Sequence, residues 1–178
     1  MIRKRGGILK IKSVRIKGFK NIQDVTVAFD KMSVLVSENS YGKSNVMTAI
    51  NFAVEFIRCP KIWKYEMMGY EGGIPFNTAI DSQNFSAEFQ LEDVFDGKSI
   101  TCLYGYEFIW DKDDESGARI IDEWLYMKEN AVRQKYSKLI SRKEDSEKEK
   151  AVTTLVIGYP AVKYHRTIKR NPAKVINA

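Results

Sequence analysis

From Ile8 to Lys17 apolar and basic residues alternate, the period-two pattern of a half-buried strand. The phase slips near Ser13, because Leu9 and Ile11 fall on one parity and Val14 and Ile16 on the other; a bulge or a break is expected there. Gly18-Phe19-Lys20-Asn21 reads as a turn into a second strand, Val25 to Phe29. Asp30-Lys31 then makes a tight connection to Val34-Leu35-Val36. That short apolar run is bounded by polar residues, as expected of a strand buried on both faces. After Lys43 the period lengthens. Val46, Ile50, Ala53 and Ile57 follow a helical repeat, and Ala49, Phe52 and Phe56 widen the apolar stripe. The helix is expected to pack into a core and to stop before Pro60.

Residues 61–82 contain Gly69, Gly72, Gly73 and Pro75 and read as a loop with at most a short helix. Period two returns with Phe85, Ala87, Phe89 and Leu91. Asp96-Gly97 marks a hairpin turn, Ile100 to Trp110 the return strand, and Asp111 to Gly117 an acidic turn. Arg119 to Met127 makes a third strand of this series, and Tyr136 to Ser141 a fourth. The result is an antiparallel meander with Tyr104, Tyr106, Phe108, Trp110, Trp124 and Tyr126 as its packing aromatics. Residues 142–150 are a mixed-charge run that reads as a solvated helix start or a loose linker. Residues 151–158 suit strand or helix, and the tail beyond Pro160 shows no period; its single histidine, His165, reads as an exposed tail residue.

The length of 178 residues suits one domain with a core of its own. No apolar run approaches the ~20 residues of a membrane span, and no signal-peptide core follows the basic N-terminus, so a cytoplasmic protein with no membrane partner is the expectation. Cys59 and Cys102 are the only cysteines, too few for a disulfide scaffold or a four-cysteine zinc site. The net charge of +6 is unevenly spread. Residues 1–20 hold eight basic residues and no acid, and residues 163–178 hold five more and no acid, which makes a polyanion a plausible partner for both ends.

The chemistry is concentrated in Ser37-Glu38-Asn39-Ser40-Tyr41-Gly42-Lys43-Ser44, between the short apolar run and the helix. A phosphate-binding loop is Gly, four residues, then Gly-Lys-Ser/Thr in that strand–loop–helix setting. Backbone N–H groups of such a loop converge on phosphate oxygens. Lys43 would reach the β- and γ-phosphates of ATP and the Ser44 hydroxyl would ligate Mg²⁺, while Gly42 lets backbone approach phosphate closely. Ser37 stands where the first Gly is expected. A second acidic candidate, Ile120-Ile121-Asp122-Glu123, superficially resembles the Asp-Glu that ends a Walker B strand. Only two apolar residues precede those acids and Trp124-Leu125 continues through them, so it reads as a meander strand.

Three segments together resemble the start of ABC-type ATPases of the SMC/RecF branch. They are Ile16-Lys17-Gly18-Phe19-Lys20-Asn21-Ile22, Val34 through Asn45, and Ala49-Ile50-Asn51-Phe52. Within that branch the chain is most similar to the overcoming-lysogenization-defect (OLD) and related "AAA family" ATPases of the bacterial phage-defence kind. Tyr104-Gly105-Tyr106-Glu107-Phe108 and Ile121-Asp122-Glu123-Trp124-Leu125 resemble that group's β-subdomain. The resemblance implies an α/β fold with an α+β leaning: a P-loop NTPase N-terminal lobe, with a mixed sheet around one P-loop helix and an antiparallel β-subdomain. It covers residues 8–142, with the P-loop core at 8–58, the β-subdomain at 84–141, and a charged linker and basic tail at 143–178. It also implies a nucleotide site built from Ser37, Asn39, Ser40, Tyr41, Gly42, Lys43, Ser44 and Asn45, with Lys20 near the nucleotide, ATP and Mg as cofactors, and Ser44 as the metal ligand.

The family's signature motif, Walker B pair and switch histidine are not recognisable, and no catalytic residue is identified. The expectation is a lobe truncated before those motifs, which binds nucleotide with little or no hydrolysis until a homodimer or a partner ATPase lobe completes it. The alternative is a non-enzymatic interaction module contacting DNA, RNA or a partner ATPase through its basic ends. A complete small kinase or GTPase fits poorly, since those folds alternate strand and helix.

Overall fold

The computed structural model describes residues 9–34, 36, 42–75, 84–95, 97–111, 117–131, 133–145, 150–157 and 164–170. Its elements, in chain order, are β1 (Lys10–Phe19), β2 (Ile22–Ala28), α1 (Lys43–Arg58), α2 (Lys61–Met68), a 3-10 turn (Glu71–Gly73), β3 (Phe85–Phe95), β4 (Lys98–Ile109), β5 (Arg119–Glu129), β6 (Ser137–Asp145), β7 (Lys150–Ile157) and β8 (Tyr164–Arg170). The eight strands form one sheet in the order β2-β1-β3-β4-β5-β6-β7-β8.

The bulge foreseen near Ser13 is present, where the β1–β3 register shifts between Ile11 and Ser13. The shift turns Val14 and Ile16 into the core and leaves Leu9 and Ile11 exposed. At the tip of the β3–β4 hairpin Gly97 takes φ +77°, a left-handed turn conformation that glycine adopts without strain. The expected strands from Phe85 to Ser141 all form, and β6 runs on to Asp145.

Three expectations are corrected. The sheet is not mixed: every pairing among the described strands is antiparallel. The helical crossover from β2 to β3 does join two strands of like direction, but β1 lies between them and pairs antiparallel with both. The architecture is therefore α+β. Second, Val34-Leu35-Val36 does not behave as a buried strand: Val34 is 72% and Val36 86% exposed, neither is in a strand, and Leu35 lies outside the described residues. A strand buried on both faces needs a layer packed over each face of the sheet, and this run joins no described strand of the sheet. Third, the stretch read as charged linker and basic tail carries β7 and β8, which extend the sheet past β6.

The helix α1 lies across one face of the sheet. Its buried stripe is Ala49, Phe52 and Phe56, the residues expected to widen the stripe, together with Ala53 of the expected repeat, while Ile57 of that repeat lies at the exposed margin. Phe52 meets Phe85 edge-on at 5.1 Å, and Phe56 stacks on Tyr106 at 4.8 Å and on Phe108 at 5.0 Å. Phe19, Met68 and Trp110 belong to the same cluster. The Tyr106 hydroxyl donates to the Ala53 carbonyl at 2.9 Å, so the helix is registered by a polar bond inside an apolar contact. Burial pushes that phenol's pKa far up, which keeps it a donor.

The end of α1 is finished by α2. Lys64, only 8% exposed, turns its ammonium onto the Phe56 and Ile57 carbonyls and over the Phe56 ring. A cation at a helix C-terminus answers both the unpaired carbonyls and the helix dipole. Burial lowers the Lys64 pKa, the cost of keeping that charge away from water.

Phe85→Ala, which empties a fully buried position, is expected to cost about 3–5 kcal/mol in urea denaturation. Trp63→Ala, on the exposed side of α2, is expected to change stability by less than about 0.5 kcal/mol in the same measurement.

Candidate functional site

The site expected at the start of α1 is built from two pieces of chain far apart in sequence. Gly42 is the N-cap of α1, with φ +90°. Lys43 and Ser44 open the helix; Lys43 is half-buried and Ser44 exposed. The first turn contains no acidic residue and Gly42 offers no side-chain cap. The N–H groups at the start of a helix lack partners within it and carry the positive end of the helix dipole. The polarity of this helix end therefore favours an anion.

The second piece is the β1–β2 turn. Lys20 adopts φ +52°, and its N–H donates to the Gly73 carbonyl at 3.0 Å. On the core side the Trp110 indole donates to the Gly18 carbonyl at 3.1 Å. The turn is thereby held from behind by the 3-10 turn and by the end of β4. In front, Asn21 Oδ1 accepts from Asn45 Nδ2 at 2.8 Å. A Cβ placed on Gly42 would come within 2.9 Å of Asn21 Nδ2. Gly42 therefore meets two demands at once, a left-handed backbone and space for the Asn21 amide.

Of the expected nucleotide-site residues, Gly42, Lys43, Ser44 and Asn45 lie together at the helix start, and Lys20 lies in the turn next to Asn21, which bonds Asn45. The Lys20 ammonium sits 5.8 Å from the Phe19 ring centre. Ser37, Asn39, Ser40 and Tyr41 lie outside the described residues. Asn21 is the residue that sequence reasoning passed over. Its signals were its place directly after Lys20 and inside the first segment of the family resemblance.

The Asp122-Glu123 pair lies in mid-strand, as its sequence context indicated. The Glu123 carboxylate accepts from Arg142 at 2.6 Å and from the Tyr104 hydroxyl at 3.0 Å. Burial, and then the Glu123 charge, push the Tyr104 phenol up. This cluster ties β4, β5 and β6 together beside the C-terminal end of α1, away from Lys43.

A groove of about 430 Å³ lies on the other side of the sheet from Lys43, along Arg15, Lys17, Asp24, Ser86, Glu88, Glu107 and Trp124. Its charges answer one another. Arg15 forks onto Asp24 at 2.8 and 2.6 Å with Lys17 at 3.6 Å, the Trp124 indole donates to Glu88 at 2.9 Å, and Asn84 donates to Glu107 at 2.8 Å. Size alone does not make it the site. The reactive residue types gather at the start of α1.

A family model described as an AAA ATPase domain matches residues 9–169. The chain belongs to the AAA ATPase domain family. No curated protein and no solved structure matches it. Membership makes the chain a nucleotide-binding ATPase domain. The match also spans β7 and most of β8. No helix among the described residues is long and apolar enough to cross a membrane.

In this ATPase domain Gly42→Ala is expected to cost about 1–2 kcal/mol for the left-handed backbone alone, and more as the new methyl displaces Asn21; chemical denaturation measures both. The Asp24 carboxyl is held below its ordinary value first by the hydrogen bond from Arg15, with burial opposing. A carboxylate with a depressed folded pKa adds stability that is full above about pH 4 and drains away as the pH falls below it. Both side chains are more than a third exposed, so the effect is small. Asp24→Asn is expected to flatten the stability profile slightly below about pH 4 and to leave its slope unchanged near neutrality.

Proposed function

We propose that this AAA ATPase domain binds Mg-ATP at the start of α1, as the N-terminal lobe of an SMC/RecF/OLD-like ABC-type ATPase. The observation that carries the reading is the helix beginning Gly42-Lys43-Ser44, with a left-handed glycine cap and no acid in its first turn. The residues fit the group. The N–H donors of the first turn and Lys43 suit phosphate oxygens, the glycine admits close approach, and Ser44, exposed on the first turn, suits a magnesium ligand. Bound Mg²⁺ supplies charge neutralisation on the phosphates; Lys43 orients them, and the β1–β2 turn brings the Lys20 segment to the same end of α1.

We further propose that turnover needs a second lobe or a partner. In support, the sequence's only Asp-Glu resembling a Walker B pair lies inside β5, and Glu123 is committed to Arg142 and Tyr104. The alternative, a module that contacts nucleic acid through its basic ends, draws less support from β1. Three cations of that strand face carboxylates: Lys12 lies 3.9 Å from Glu92, and Arg15 and Lys17 share Asp24.

Calorimetry with Mg-ATP tests the proposal. The wild-type chain is expected to bind, and Lys43→Ala to bind at least about tenfold more weakly. Ser44→Ala is expected to remove most of the magnesium dependence. Absence of binding by wild type sinks the nucleotide reading. Rapid hydrolysis by the purified chain, abolished by Lys43→Ala, sinks the claim that a second lobe or partner is required.

A further inference from the structure

We propose that Asn21 is a positioning residue, whose amide locks the β1–β2 turn to the first turn of α1 so that the two halves of the candidate site move as one body. The observations are geometric. Asn21 Oδ1 accepts from Asn45 Nδ2 at 2.8 Å, bridging 24 positions of sequence. The other end of the same amide faces Gly42 so closely that any β-carbon there would come within 2.9 Å of Nδ2. One side chain therefore engages both the cap of α1 and the third residue of its first turn.

The lock works only if the turn itself is rigid, and three contacts make it so. Lys20 N–H is bonded to the Gly73 carbonyl, the Gly18 carbonyl receives the buried Trp110 indole N–H, and the Phe19 ring between them is fully buried. Gly73 is held in turn: a β-carbon on it would come within 2.8 Å of Trp110 and 3.0 Å of Phe19. The chain of support runs from the end of β4 through the turn to Asn21, and from Asn21 to the helix that carries Lys43 and Ser44. Asn21 needs no contact with nucleotide to matter. It acts by fixing where the start of α1 lies relative to Lys20, and an interaction that preorganises a site raises affinity without touching the ligand.

The part of this inference that concerns affinity rests on the nucleotide reading above; the lock itself does not. Asn21→Ala, Asn45→Ala and the double variant form a cycle with two readouts. In nucleotide-free protein, amide exchange at Val46, Met47 and Thr48 is expected to quicken about three- to tenfold in each single variant, the worth of one hydrogen bond. The double variant is expected to be no faster than either, because the two side chains form one contact. Exchange in the last turn of α1, Val54 to Arg58, is expected to stay at the wild-type rate. Affinity for Mg-ATP is expected to fall by a similar factor in each single variant and no further in the double.

Effects that multiply in the double variant overturn the lock, as does an Asn21→Ala protein with wild-type exchange in the first turn. Equal acceleration at both ends of α1 also overturns it, since that is general destabilisation. If wild type fails to bind Mg-ATP while the exchange cycle is non-additive, the nucleotide reading falls and the lock stands.

Discussion

Everything in this fold follows from the need to cover one aromatic face. Phe85, Tyr106, Phe108 and Trp110 project from β3, β4 and the residue after β4, and α1 brings Phe52 and Phe56 down on them. Rings in tilted and edge contact at 5–6 Å fill space with few rotamer choices, so the helix has one seat. The Tyr106–Ala53 bond removes the remaining freedom to slide. With the helix axis fixed, its first residue is fixed as well, and that residue is Lys43. The candidate site inherits its position from the core.

That inheritance explains why the site is assembled from separate segments. Phe19 belongs to the aromatic cluster and is also the last residue of β1, so the turn after it must emerge beside the buried rings. The crossover from β2 through α1 and α2 to β3 passes over the same face. Turn and helix start meet because both leave the same core, and Asn21, Gly42 and Asn45 are where they touch. At the far end of α1 the arrangement is complementary, with a buried lysine taking the terminal carbonyls. One end of the helix is closed by a buried lysine, and the other carries the positive end of the helix dipole.

The parts that were legible in the sequence are those governed by local period. The parity slip at Ser13 announced its bulge because a single displaced residue reverses which side chains face inward. The α1 stripe and strands β3 to β6 were readable for the same reason. What escaped depended on distant partners. Val34-Leu35-Val36 has the composition of a central strand, but whether such a run is buried is decided by the neighbours available to it. β7 and β8 were hidden by mixed charge and by short apolar runs that suit either structure. At the site, Gly-Lys-Ser after a turn was readable from spacing, whereas Asn21 was not, since its role exists only once Gly42 and Asn45 have been brought to it.

The order of the strands has one more consequence. The sheet does not close on itself: β2 and β8 each have a neighbour on one side only among the described strands. An unpaired strand flank is a template on which another chain can grow. In β2 Asp24, the third of seven residues, is anchored to Arg15 and Lys17 of β1 and is still well exposed. A strand approaching there meets a fixed ionic knot instead of an apolar ladder, and would have to dehydrate it in order to add on. The Arg15–Asp24 pair, worth little to the stability of a single molecule, thus places fixed charge beside this margin, a feature of the kind that disfavours edge-to-edge addition.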